Sequence, residues 1–163
     1  MKIAIMSDSH ENWTKLTKAI DIANKENCTH LLFAGDLIAP PGIVVLEKFN
    51  GKIHFVWGNN EGEKTGLTRK MNASQKITLE GDIFESEIHG IKIFMNHYPR
   101  IVELAAKSGD FDLCIHGHSH EYREEAIGST ILINPGEIQG YLTGKVTFII
   151  FDCETKKVKR IEL

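Results

Sequence analysis

The chain has 163 residues, 42% hydrophobic and 25% charged, with a formal net charge of −3, the composition of one globular domain able to bury a sizeable core. That charge argues against a broad electrostatic footprint for nucleic acid or an anionic membrane surface and leaves room for a local basic cleft. No stretch approaches the roughly 20 apolar residues of a membrane span, and Met1-Lys2 leads into a strand-like segment with no secretory leader.

The first half alternates short apolar strands with helices. KIAIM (2–6) reads as a strand, and the spacing of Trp13, Leu16, Ile20 and Ala23 predicts a helix. HLLFAG (30–35) follows as the second strand. Pro40-Pro41 then opens a helix with apolar Ile43, Val44, Leu46 and Phe49, which Gly51 stops. KIHFVWG (52–58) is the third strand. Glu61 to Ser74 is polar and glycine-dotted, so it is expected to be a mobile surface rim with one short helix.

From Asp82 the pattern changes to hairpins: IFESEI and IKIFMNH around His89-Gly90, EYREEAI and TILINPG around Gly128-Ser129, and KVTFIIFDC with KKVKRIEL around Glu154-Thr155. A helix from about Ile101 to Lys107 precedes DLCIHG. Parallel βαβ units and antiparallel hairpins share one core when two sheets stack face to face with helices outside. The lysines of KKVKR suit an exposed final edge strand. No repeat, linker or low-complexity tract divides the chain, so residues 1–163 read as a single domain. Cys28, Cys114 and Cys153 are an odd number without CxxC spacing, which suits a reduced cytoplasm rather than a disulfide framework.

Polar residues collect where the apolar strands end. Strand one ends in Asp8-Ser9-His10, strand two in Gly35-Asp36 and strand three in Gly58-Asn59-Asn60; later strands end in Asn96-His97 and in His116-Gly117-His118-Ser119-His120. The carboxyl ends of strands form the ligand crevice of open α/β sheets, so these groups can converge although they are scattered in sequence. Taken singly, an Asp-Ser-His or a Gly-Asp after a strand is more often a helix cap or turn. As a set, Asp8, His10, Asp36, Asn59, His97, His118 and His120 supply oxygen and imidazole donors without a thiolate. That chemistry favours manganese or nickel and accommodates iron, cobalt or zinc. Seven side chains exceed what one ion takes while leaving a substrate position, so the set suits two divalent ions sharing Asp36. His30, His54, His89 and His116 read as strand, turn or supporting positions.

DSH (8–10), GD (35–36), GNNE (58–61), NH (96–97), GHSH (117–120) and NPGE (134–137) together resemble the ordered motifs of the calcineurin-like metallophosphoesterases. The NPG turn is similar to that of the small single-domain phosphodiesterase branch, which also contains the retromer subunit with a phosphoesterase fold. The resemblance implies a four-layer αββα sandwich of two mixed β-sheets flanked by helices. It implies that Asp8, His10, Asp36 and His120 hold one ion and Asp36, Asn59, His97 and His118 the other. Gly117 and Ser119 are expected to let the backbone turn so that His118 and His120 aim at separate ions. A metal-bridging hydroxide would attack phosphorus in line.

Two positions depart from the family pattern. The family often has histidine where this chain has Asn60, and an amide can hydrogen-bond a phosphate oxygen but cannot act as a general acid. After His97 the chain reads Tyr98-Pro99-Arg100 instead of HGH, placing an aromatic ring and a guanidinium where a substrate would pass. A phosphodiesterase acting on a small diester or nucleotide-like substrate, with Asp36, Asn60 and His97 catalytic and Asn60, Tyr98 and Arg100 touching substrate, is therefore favoured. A phosphomonoesterase with the same dinuclear site, or a non-catalytic retromer-like scaffold, are the alternatives. No extended nucleic-acid surface is expected, and the exposed residues leave a homo-oligomer open.

Overall fold

The computed structural model describes all 163 residues, Met1–Leu163. In chain order the elements are β1 (Lys2–Met6), α1 (Trp13–Lys25), β2 (Cys28–Phe33), α2 (Pro41–Leu46), β3 (Lys52–Val56), α3 (Lys64–Ala73), β4 (Ile77–Gly81), β5 (Ile83–Ile88), β6 (Ile91–Asn96), α4 (Pro99–Ser108), β7 (Leu113–Ile115), β8 (Arg123–Ile127), β9 (Thr130–Asn134), β10 (Thr147–Asp152) and β11 (Lys157–Glu162). They form a six-stranded sheet, β11-β10-β1-β2-β3-β4, and a five-stranded sheet, β5-β6-β7-β9-β8. Both sheets are mixed. β1 to β4 are mutually parallel with β10 antiparallel to β1, while β6, β7 and β9 are parallel between two antiparallel edges.

Alternation of side chains along the central strands builds the layers. Ala4 and Met6, Leu31 and Phe33, Ile53 and Phe55, and Phe148 and Ile150 point to one side, where they pack on Leu16, Ile20, Leu46, Leu67 and Met71 of the first three helices. Their neighbours Ile3, Ile5, Leu32, Val56, Ile149 and Phe151 point to the other side and meet Ile93, Met95, Leu113, Ile115 and Ile133 of the second sheet. The outer face of that sheet, through Phe94, Cys114 and Leu132, packs on Val102 and Ala106 of α4. Three cores between four layers result. Strands buried on both faces read as nearly continuous apolar runs, and KIAIM and TFIIF do.

Several boundaries differ from the sequence expectation. β4 lies between two expected features and pairs parallel with β3 at the sheet edge; its ITLEG sequence has too little apolar character to announce a strand before β3 offers it a ladder. The Glu61–Ser74 segment is mostly a ten-residue helix that buries Gly66, Leu67 and Met71 against the core. α4 begins two residues earlier than expected because Pro99 takes the first helical position. The three expected hairpins form, with Ile88 opposite Ile91, Ile127 opposite Thr130 and Asp152 opposite Lys157. No helix is long and apolar enough to cross a membrane, and all three cysteines are buried and unpaired.

Candidate metal centre

β1, β2 and β3 in one sheet, and β6, β7 and β9 in the other, deliver their carboxyl ends to a common rim. Asp8 and His10 follow β1, Asp36 follows β2, Asn59 and Asn60 follow β3, His97 follows β6, and His118 and His120 follow β7. One donor atom from each of Asp8, His10, Asp36 and His120 falls in a cluster whose members all lie within 4.8 Å of one another. Asn59 Oδ1 gathers the second group, lying 2.8 Å from His97 Nε2 and 2.7 Å from His118 Nδ1. Asp36 stands between them, with Oδ2 3.7 Å from His10 Nε2 and Oδ1 3.6 Å from His97 Nε2.

Backbone strain concentrates at the same place. Asp8, His10, Asp36, His118 and His120 all adopt positive φ, from 45° to 70°. Asp and His tolerate the left-handed region better than most residues, and such outliers persist only where surrounding structure over-determines them. The turns in GHSH are thus made by His118 and His120 themselves, a correction to the expectation that Gly117 and Ser119 supply them. Gly117 is required for space instead: a Cβ there would overlap Ser7 Oγ and stand 2.6 Å from Asp8 Oδ2. Gly58 likewise leaves room for Asp36, since its Cβ would overlap Asp36 Oδ1.

Each imidazole is oriented by what its other nitrogen touches. His97 Nδ1 lies 2.7 Å from the Ala34 carbonyl, which can only accept, so Nδ1 donates there and Nε2 is the nitrogen turned toward Asn59 and Asp36. His120 Nδ1 lies 2.9 Å from Glu137 Oε2, freeing Nε2 to face Asp8 Oδ1 at 3.5 Å. Glu137 is itself fixed: its Oε1 accepts from the amides of Leu142 (3.0 Å) and Thr143 (2.7 Å) and from the Thr143 hydroxyl. Burial pulls its carboxyl upward, but the hydrogen bonds from Thr143 and His120 prevail and hold it below the usual range. Carboxylate and carbonyl partners of this kind recur behind metal-binding histidines.

The charge states fit a cation. Burial lowers the pKa of both His10 and His97, which keeps them neutral, the form that binds metal. Burial also pushes the Asp8 carboxyl up to about 7, the response of an acid taken out of water without a counter-charge. Three buried side-chain polar atoms lack any hydrogen-bond partner, and two of them, Asp8 Oδ1 and His10 Nε2, belong to this cluster. Buried polar atoms normally find partners, so an ion received by both satisfies them together. The donor set of oxygen and neutral imidazole, remote from any thiol, matches first-row divalent ions.

Asn60 is turned onto Asp36. Its backbone amide donates to Asp36 Oδ1 at 2.8 Å and its side-chain amide to Asp36 Oδ2 at 3.0 Å. Tyr98 stands at the rim, its ring centroid 5.3 Å from His97 and 5.1 Å from His118, and is 41% exposed. Arg100 is exposed on the first turn of α4 and makes no hydrogen bond or ion pair. His116 is buried with Nε2 unpartnered, and its Nδ1 faces Gly117 O rather than one of the seven clustered side chains.

Three supporting residues escaped the sequence reading, although each belongs to a quoted motif. Glu61, the last residue of GNNE, accepts from the amides of Asp36 (2.7 Å), Leu37 (3.3 Å) and Gly58 (2.8 Å), tying the loop after β2 to the loop after β3. Asn134, the first of NPGE, donates to Gly117 O at 3.0 Å and Ser119 Oγ at 2.9 Å, bracing the turn that carries His118 and His120. Glu137, the last of NPGE, orients His120. Their motif membership was the available signal; their partners lie up to 25 residues away in sequence and needed the fold.

Comparison with known proteins gives the family and the fold. The model of the calcineurin-like phosphoesterase superfamily domain matches residues 1–156. The chain is 38% identical over 165 aligned positions to phosphodiesterase MJ0936 of Methanocaldococcus jannaschii, covering 100% of this chain and 99% of that protein. A solved structure described as a novel archaeal phosphodiesterase superposes with a TM-score of 0.93 at 37% identity, each chain covered completely at 100%. Vps29 of Chaetomium thermophilum, at 14% identity and a TM-score of 0.73 over 100% of this chain and 95% of that one, shares the fold. With the family match spanning nearly the whole chain, this protein belongs to the calcineurin-like phosphoesterase superfamily.

Proposed function

We propose that residues 1–163 act as one metal-dependent phosphodiesterase domain, hydrolysing small phosphodiesters at a dinuclear centre in the cytoplasm. The observation that carries this reading is Asp36: its two carboxylate oxygens face different histidines, His10 on one side and His97 on the other. Asp8, His10, Asp36 and His120 would hold one ion, and Asp36, Asn59, His97 and His118 the second. Manganese or nickel suits the set best, with iron, cobalt and zinc chemically admissible. When bound, two such ions supply Lewis acidity toward phosphoryl oxygens and a hydroxide nucleophile held between them near neutral pH.

The chain's own residues do the rest. His97 and His120 present Nε2 because Ala34 O and Glu137 hold their Nδ1 protons. Asn60 clamps both oxygens of Asp36 with its two amides, and its side chain would turn toward a phosphate oxygen once Asp36 is neutralised. Position 60 offers no protonatable group to a departing alkoxide, which disfavours monoesters with poor leaving groups and favours diesters. The 38% identical relative called a phosphodiesterase supports the same choice. Tyr98, beside His97 and His118, would stack against a base or aromatic leaving group, and Arg100 would meet substrate phosphate at the outer rim. The three buried thiols suit a reducing compartment.

The test is hydrolysis of a chromogenic diester and its monoester counterpart by metal-stripped protein titrated with manganese, nickel and zinc, alongside Asp36→Asn. Metal-dependent diester cleavage that vanishes in the variant is expected. No turnover despite stoichiometric binding of two ions would overturn the enzymatic reading.

A further inference from the structure

One cavity in the molecule shares a wall, His120, with the candidate metal centre. It encloses about 220 Å³ and is lined by His120, Glu121, Tyr122, Thr143, Lys145 and Arg160, among others. Because β10 runs antiparallel to β1, and β11 antiparallel to β10, the beginning of β10 and the end of β11 lie at the rim where the parallel strands end. Lys145 and Arg160 thereby reach the neighbourhood of the metal centre from the far edge of the six-stranded sheet. The other two cavities lie elsewhere; the largest, near Glu85, Glu87 and Asp110, is acidic.

The lining suits an anion. Two cations face one carboxylate, Glu121, and His120 spends its Nδ1 proton on Glu137. Lys145 Nζ makes no ion pair. Arg160 is held by its face, with its guanidinium carbon 4.4 Å from the centroid of Tyr122, and its carboxylate contact with Glu162 is long at 3.4 Å. Stacking on an aromatic ring leaves the edge donors of a guanidinium free to bind oxygen anions. The volume is several times the roughly 30 Å³ of a liquid water, room enough for a phosphate group.

We propose that this cavity binds a second, non-reacting phosphate group of the substrate, so that the preferred substrates are diesters carrying a further phosphate monoester, as a phosphorylated nucleotide does. The assignment rests on the phosphodiesterase reading, because His120 is both a wall of the cavity and one of the residues clustered around Asp8. A substrate anchored at the metals through its reacting phosphate projects its next anionic group toward Lys145 and Arg160. Binding energy from such a remote group can be used to orient the reacting one.

The test compares two p-nitrophenyl nucleotide diesters that differ only by one phosphate on the sugar, with manganese-loaded wild type, Lys145→Met and Arg160→Met, and with inorganic phosphate as inhibitor of the plain ester. A charge-assisted contact predicts roughly tenfold lower KM for the phosphorylated ester in wild type. Each substitution should erase that preference while leaving KM for the plain ester unchanged. Equal kinetics for the two esters, with inorganic phosphate inhibiting wild type but not Lys145→Met, would assign the cavity to free phosphate and overturn the substrate role. Equal kinetics with no effect of either substitution on inhibition would overturn the anion site altogether. Absence of turnover of both esters would count against the phosphodiesterase reading alone; calorimetric binding of thymidine bisphosphate against thymidine monophosphate, in wild type and both variants, then decides the cavity.

Discussion

Glu61 offers a direct measure of how the site is held together. Its two oxygens accept three buried backbone amides, from Asp36, Leu37 and Gly58, and Glu61→Ala would strip all three of their partner. An orphaned buried donor costs about 1–3 kcal/mol; with water entering the space left by the side chain, the lower end applies and the total is about 3 kcal/mol. For a chain of this size each kcal/mol moves Tm by about 2–4 °C, so metal-free Glu61→Ala should melt roughly 6–12 °C below wild type. Displacing Asp36 should also weaken metal binding by about 10–100-fold, as loss of a residue supporting a ligand typically does. Glu61→Gln retains one carbonyl oxygen but turns an NH₂ group toward a donor amide, and should fall between wild type and Glu61→Ala. Thermal unfolding by circular dichroism and manganese calorimetry provide the two readouts. A loss below about 1 kcal/mol in Glu61→Ala, with unchanged manganese affinity, would refute the claim that this carboxylate ties the two loops together.

Two other outcomes follow from the same structure. Asn60→His restores a titratable group beside Asp36, and should raise the monoester-to-diester rate ratio by about 10²-fold or more, the lower range for general acid catalysis; a ratio unchanged in paired kinetic assays would place the leaving-group proton elsewhere. His30, packed by ring contacts with His54 and His89, is lowered to about 4, first by burial and then by those two imidazoles and Lys52. Its unfolded form therefore takes up a proton before its folded form does, and stability should fall as pH drops from 6.5 toward about 4. Urea titrations across that window should show a shallower decline for His30→Gln than for wild type, and parallel curves would remove His30 from the acid response.

Motif order made much of the candidate site legible before any fold was known. DSH, GD, GNNE, NH and GHSH each follow an apolar strand, and strand ends are where an α/β sheet exposes ligands, so local pattern and chemistry agreed. The doubly buried strands were legible for the same reason: Ile3 to Met6 and Phe148 to Phe151 are apolar on both faces because both faces are covered. ITLEG was not legible as β4, since its strand character depends on the ladder with β3. His30, His54 and His89 read as three unrelated positions; β2, β3 and the β5–β6 turn bring them into one cluster.

The sequence by itself determined the donor types, their order and the alternation of strands and helices, because these are properties of side-chain chemistry and local periodicity. The tertiary structure alone decided which oxygen of Asp36 faces which histidine, that His118 and His120 rather than their small neighbours take the left-handed turns, and that Glu61, Asn134 and Glu137 lock the loops. It also brought Lys145 and Arg160 to one cavity beside His120. Each of those facts depends on the relative placement of loops that are distant in sequence. That placement is set by packing between the two sheets and by buried hydrogen bonds, neither of which leaves a local signature in the chain.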